Sequence, residues 1–316
     1  MKPVAQRLAA ATALTCAVAA AGCGFGAGPS SSGTATLTVT RDYGSKTVLE
    51  ATDDDPPSSE TVIRFLDSEA DITTRYGGGF VQSINGISGG GEGGGSDWFF
   101  YVNGVESPVG AADVRVQGGD RIWWDYREWT AAMSVPAVVG SWPEPFAQAS
   151  SDDPRPVRVV CLGVTAACSA AARHLADAGV RARTVRHAAP GSGALRVLVG
   201  PWAKVRADPA VDALRGGPAS TGVFATFKGP IGGRWDLIGL NPRGKPVRDL
   251  GRGAGLVAAL GRAGNPQTWI ATGSGRPAVL RAAELLNARS LRDRYAVAAV
   301  GGRSLPLPIL GGMRGP

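Results

Sequence analysis

The stretch Trp98-Phe-Phe-Tyr-Val-Asn-Gly104, followed by Gly119-Asp-Arg-Ile-Trp-Trp-Asp-Tyr126, decides the reading of the first third of the chain. Aromatic and β-branched residues in succession favour strands. Asn103-Gly104 is a strong hairpin signal, because both residues accept the positive φ of a tight turn. Side chains two apart share one face of a strand. Trp98, Phe100 and Val102 therefore point together, as do Ile122, Trp124 and Tyr126, and these six are expected in the core. Phe99, Tyr101 and Asn103 lie opposite, with Arg121, Trp123 and Asp125 on the same opposite face of their own strand. An aromatic surface edged by charge suits a flat, polar-edged ligand. Tyr101, Asn103, Arg121, Trp123 and Asp125 are thus the candidate ligand-binding set. The competing reading is that Trp123 and Tyr101 are covered by a second domain or by the glycine-rich loop Ser88–Ser96.

Working outward, Thr36–Thr40 and Lys46–Glu50 read as strands around a turn. Pro56-Pro-Ser-Ser-Glu60 precedes Val62, Phe65, Leu66 and Glu69 at helical spacing, which predicts a short helix with one apolar stripe. Phe80–Ile84 and Asp113–Val116 are further expected strands. Two strands, one helix, then several strands is an α+β pattern in which a sheet wraps a single helix. The run Ile84-Asn-Gly86, the variable loop, and the two aromatic strands resemble the β-grasp domain at the C-terminal end of transcobalamin and intrinsic factor. That domain also occurs in many bacterial surface proteins and is known as DUF4430. The resemblance covers residues 35–129 and implies a β-grasp fold. It also implies a ligand-enclosing role, with cobalamin or another corrinoid as the favoured ligand. The family commonly carries a polar residue where Trp123 stands, so this tryptophan exceeds what the core demands.

The first residues read as an export signal. Lys2 and Arg7 precede an alanine-rich apolar stretch ending in Ala20-Ala21-Gly22-Cys23. Charge, apolar run and small residues in that order mark a secretory signal. Small residues before a cysteine resemble the bacterial lipobox, although Ala20 stands where leucine is usual. The expectation is a signal peptide over 1–22, lipidation of Cys23, and a Gly/Ser-rich tether over 23–34. The chain would then sit on the outer face of the cell membrane.

Beyond the expected β-grasp domain at 35–130, residues 131–156 carry five prolines and read as an extended linker. Residues 157–300 then read as an α/β domain of two βαβ-like halves, and 301–316 as a loose Gly/Pro-rich tail. Charge divides the same way. Residues 24–150 hold 7 Lys and Arg against 17 Asp and Glu, and residues 151–316 hold 24 against 9. Such asymmetry makes attraction plausible between the units, or between the basic unit and anionic lipid or wall polymer. Nucleic acid is not an expected partner of an exported chain.

Cys161 and Cys168 remain after Cys16 and Cys23 are assigned to export and lipidation. An oxidising surrounding would let them pair, and two buried free thiols is the alternative. His174 and His187 lack metal-ligand spacing with the cysteines, so no metal and no cofactor is expected. No His-Glu-x-x-His motif is present. The leading expectation is a non-enzymatic surface lipoprotein. It would bind a small ligand on its β-grasp domain and pass it to an ABC or ECF importer. The alternative is an envelope scaffold whose basic domain docks on an acidic polymer.

Overall fold

The structure, a computed structural model, describes residues 30–90, 95–147, 155–261 and 267–311. Cys23, the signal and most of the tether lie outside the described residues, as do residues 91–94 of the glycine-rich loop.

The alternation quoted above becomes a β-grasp. Strands β1 (Thr34–Arg41) and β2 (Lys46–Asp54) form a hairpin. Helix α1 (Val62–Glu69) follows, and the Thr61 side chain accepts from Arg64 N at 3.4 Å to cap it. Strands β3 (Ile72–Arg75), β4 (Phe80–Ile84) and β5 (Ile87–Ser88) make a small side sheet. β6 (Ser96–Val102), β7 (Val105–Glu106) and β8 (Arg121–Glu128) complete a five-stranded sheet of order β2-β1-β8-β6-β7, in which β1 and β8 run parallel. Asn85-Gly86 and Asn103-Gly104 both take positive φ, as their hairpin turns require. Leu37, Val39, Trp98, Ile122 and Trp124 bury against Val62, Phe65 and Leu66 of α1. Asp113–Val116, expected as a strand, contributes only one isolated bridge, Thr61 to Arg115. It spends its backbone on α1 instead: the carbonyl of Val114 accepts from Val62 N, satisfying a helix-start donor.

The second unit opens with β9 (Val157–Cys161), α2 (Thr165–Asp177), β10 (Ala182–Val185) and β11 (Leu195–Pro201). Short helices α3 (Trp202–Val205) and α4 (Pro218–Thr221) flank a 3-10 segment at Pro209–Gly216. Strands β12 (Ala225–Ile231), β13 (Arg234–Leu240) and β14 (Pro246–Gly251) form a separate antiparallel sheet. The chain returns through β15 (Gly255–Leu260), β16 (Thr268–Gly273), α5 (Arg276–Glu284), α6 (Ala288–Leu291), β17 (Ala296–Val300) and β18 (Arg303–Leu307). One seven-stranded sheet results, in the order β10-β9-β11-β16-β15-β17-β18. Both expected strand–helix–strand halves lie in it, joined where β11 runs parallel to β16; β15 intervenes between β16 and β17. Helices α2 and α5 cover one face, and α3, the 3-10 segment and the β12–β14 sheet cover the other. A disulfide joins Cys161 at the end of β9 to Cys168 in α2.

Two expectations about connections need correction. Residues 301–316 were expected to be loose, but Arg303–Leu307 pairs with β17 along its whole length, burying Leu307. Residues 131–156 were expected to be an extended linker, yet Val135, Val138, Val139, Trp142 and Phe146 are buried. Trp142 and Phe146 pack on Trp269 with ring centroids 5.9 and 4.9 Å away. The backbone of this strap bonds both units: Val138 N to Gly104 O at 2.9 Å and Val139 N to Tyr295 O at 3.3 Å. Proline-rich chain can pack in this way when large apolar residues alternate with the prolines, since burial of each recovers about 1.5–3 kcal/mol.

Gly140 marks how closely strap and units approach. A Cβ there would lie 2.7 Å from Trp123 Cζ3 and 2.8 Å from Arg294 N. Gly140→Ala is therefore expected to destabilise the folded chain by about 1–3 kcal/mol through overpacking. Denaturant titration measures this, and an unchanged midpoint would show that the units do not meet at this distance.

Candidate functional site

The face opposite the β-grasp core holds the expected ligand set, and the second unit covers most of it. Tyr101, Trp123 and Asp125 are buried, with Asp125 at 0% exposure. The cover is Tyr295, from the start of β17. Its ring meets Trp123 at 5.2 Å, Tyr101 at 5.8 Å and Tyr43 at 5.0 Å, all edge-on. Two hydrogen-bond relays converge on the Asp125 carboxylate. Trp123 Nε1 donates to Thr40 Oγ1 at 2.8 Å, and Thr40 donates to Asp125 Oδ1 at 2.6 Å. Tyr101 Oη donates to Tyr295 Oη at 3.3 Å, and Tyr295 donates to Asp125 Oδ2 at 2.9 Å. Gly44 N adds a third bond, at 3.0 Å.

Beside this network Arg127, also buried, donates to the carbonyls of Ala132 and Met133 at 2.7 and 3.1 Å. Its guanidinium lies 3.7 Å from the centroid of the Phe99 ring. It thereby fastens the start of the strap to the sheet. Of the remaining expected residues, Asn103 is a turn lock: its Nδ2 donates to Asp120 at 2.8 Å and its Oδ1 accepts from Arg121 N. The exposed Arg121 stands with one edge of Trp123 at a crevice of about 260 Å³ between the units. The five residues are therefore divided among a buried interface, a turn and a rim. Tyr43, Arg127 and Tyr295 were missed as members of the network. Only the first two carried a usable signal, since both share the sheet face of the expected set or its adjoining turn.

A different cavity, also of about 260 Å³, opens in the second unit. Trp202 follows the last residue of β11 and stacks on Phe227 of β12 at 4.3 Å and 16°. Trp235 of β13 stands perpendicular to Trp202 at 6.5 Å. Its backbone N donates to Ser274 Oγ at 2.9 Å, so the Gly-Ser-Gly turn after β16 serves to position this ring. Leu256, Val211 and Leu214 line the apolar remainder. Arg206 places its guanidinium 4.8 Å over Trp235, and Arg215 edges the cavity while paired with Asp212 at 2.7 Å. Trp202 Nε1 is buried and has no hydrogen-bond partner among the described residues. Such a donor costs roughly 1–3 kcal/mol when left unmet.

Among the described residues, no group of three or more His, Cys, Asp or Glu is placed to hold a metal ion. His174 instead shares Glu284 with Arg173 at the surface, each at 3.0 Å.

Comparison with known proteins finds a family for part of the first unit. The family described as "Domain of unknown function (DUF4430)" matches residues 59–128, so this part of the chain carries a DUF4430 domain. No curated protein matches the chain. A solved structure, of a "putative metal binding protein" from Ruminococcus gnavus ATCC 29149, aligns at 18% identity and a TM-score of 0.25. The match covers 30% of this chain and 97% of that one.

Burial drives the Asp125 carboxyl from its ordinary 3.8 up to about 6, against the opposing pull of Thr40, Gly44, Tyr295 and Arg127. Between these two values the folded chain holds a proton that the unfolded chain has released, so this group's contribution to stability falls as pH rises through the window. Asp125→Asn removes that dependence. The stability of the variant relative to the parent is expected to rise by on the order of 2 kcal/mol between pH 4 and pH 7. Denaturant midpoints at both values check it, and a pH-independent difference would mean that Asp125 is ionised throughout.

Proposed function

We propose that the protein is an exported, lipid-tethered binding protein of the cell envelope that performs no chemistry. It seats a small flat ligand with a negative group against Trp202, Phe227 and Trp235. The observation that carries this reading is the aromatic slot itself, walled by stacked and perpendicular rings and edged by the Arg206 guanidinium. Aromatic walls favour a flat body, and the guanidinium favours a carboxylate or similar anion. The slot lies beyond the carboxyl ends of β11 and β16, where open α/β sheets commonly bind ligands. Export and tethering rest on the signal-like first residues and Cys23. A membrane importer of the ABC or ECF type would be the natural recipient.

The corrinoid expectation is not carried into this reading. It relied on the β-grasp face that Tyr295 now covers. Pockets for drug-sized ligands run from about 300 to 1,000 Å³, so a slot near 260 Å³ holds one or two rings and not a corrin macrocycle.

Titrating the full chain with 2-naphthoate and with neutral 2-naphthamide, while following tryptophan fluorescence, tests the proposal. Naphthoate is expected to bind about tenfold more tightly, the equivalent of one charge-assisted hydrogen bond. Arg206→Gln should erase that preference, and Trp235→Ala should weaken both ligands. Flat curves for both compounds, or binding indifferent to Trp235→Ala, would remove the slot as the ligand seat.

A further inference from the structure

Strand β10 forms one edge of the seven-stranded sheet, and its Arg183 lies in register with Arg158 on β9. Arg158 is itself in register with Arg196 on β11. In-register neighbours leave a sheet on the same face. Here it is the face away from α2 and α5, because Val157, Val159 and Val197 take the helix side while Val160, Val185 and Leu198 take the other. Three arginines thus stand in one row across strands about 4.8 Å apart.

Their surroundings differ. Arg196, buried, gives two bonds to Asp208 at 2.7 and 3.1 Å and others to Thr268 Oγ1 and Ala188 O. Arg158 is half-buried and donates to the carbonyl of Val157 at 3.2 Å, and Arg183 is exposed. No ion pair among the described residues includes Arg158, Arg181, Arg183 or Arg186. From Ala178 to Ala207 the sequence contains neither Asp nor Glu. Arg181, two residues before Arg183 and just ahead of β10, adds a further exposed guanidinium beside the row. Like charges directly opposite on adjacent strands destabilise a sheet. Guarding an open edge needs charge on the edge strand, and this does not account for Arg158 one strand further in.

We propose that Arg158, Arg181 and Arg183 form a track for a linear phosphodiester polymer of the envelope. Guanidinium forks take two phosphate oxygens at once and would be relieved of mutual repulsion by doing so. Arg181 and Arg183 are spaced about 7 Å along the strand, and Arg158 lies beside Arg183 one strand in, so neighbouring phosphates of one chain can be met in turn. A membrane-docking face would pair its cations with apolar groups able to enter the bilayer. Among the described residues the exposed large apolar ones are Tyr76, Val109, Met133, Val247 and Leu310, none of which lies on β9 or β10.

The test titrates the full chain with a poly(glycerol phosphate) chain. Binding is expected to weaken steeply with salt and to fall at least about tenfold in the Arg158→Gln/Arg183→Gln variant. Arg289→Gln/Arg303→Gln, which removes the same charge from exposed positions elsewhere, should bind as the parent does. Equal loss in both variants would assign the effect to net charge and overturn the track. So would free inorganic phosphate binding as tightly as the chain, or phosphatidylglycerol vesicles being captured through the same arginines. The first variant should melt no lower than the parent, because facing like charges have been removed. A lower melting point would mean that the two arginines hold the sheet together, which also overturns the proposal.

Discussion

The rest of the molecule depends on the burial of the outer β-grasp face beneath Tyr295. A sheet face carrying Tyr101, Trp123 and Asp125 can meet water or be covered, and here covering satisfies every polar atom that the carboxylate presents. Burying an aspartate is unfavourable, as its raised pKa records. The aromatic groups around it gain about 1.5–3 kcal/mol each on burial, and three or four of them outweigh one desolvated carboxyl that accepts three hydrogen bonds. The two units consequently share one hydrophobic core, in which Tyr43, Tyr101 and Trp123 join Leu198, Phe224 and Ile270. Separating them would expose all of these groups together.

That covering also turns the proposed ligand seat toward the second unit. With that aromatic face closed, the aromatic-walled cavity is the one in the second unit. Trp202, Phe227 and Trp235 come from a strand end and two strands of the small sheet. The β-grasp domain then acts as a buttress: it supplies Tyr43 against Phe224 at 5.2 Å, and Phe224 immediately precedes the strand that carries Phe227.

The first unit was legible because its signals are local. Period-two alternation placed Trp98, Phe100, Ile122 and Trp124 in the core, and two Asn-Gly pairs placed the hairpins. Tyr101, Trp123 and Asp125 of the expected set do share one sheet face, whereas Asn103 locks a turn and Arg121 stands at a rim. What the sequence could not convey was that a tyrosine about 170 residues later would lie on it. The slot was hidden for a similar reason. Ala225–Leu260 contains four strands interrupted by Gly229, Gly232, Gly233, Gly244 and Gly251, and these mask the alternation on which a strand reading relies. The strap was misjudged because its prolines suggested exposure, whereas Val135, Val138, Trp142 and Phe146 between them are what settle its position.

Charge asymmetry could have served to draw the two units together, and the interface shows that it does not. Ion pairs from the acidic unit to the basic one are Arg243 with Glu128 at 3.5 Å and Arg292 with Glu50, both with arginines well exposed. Exposed pairs of this kind contribute about 0–1 kcal/mol, far below what the buried aromatic groups supply. The second unit's own acids pair with Arg173, His174, Arg196, Arg215, Arg252 and Arg292, and no ion pair among the described residues reaches Arg158, Arg181 or Arg183. An uncompensated row of arginines on a sheet edge is a cost to the fold that an outside anion can offset. In a protein tethered to an envelope surface, such a row would hold the body against polyanion while leaving the aromatic slot, on other strands, free to take its ligand.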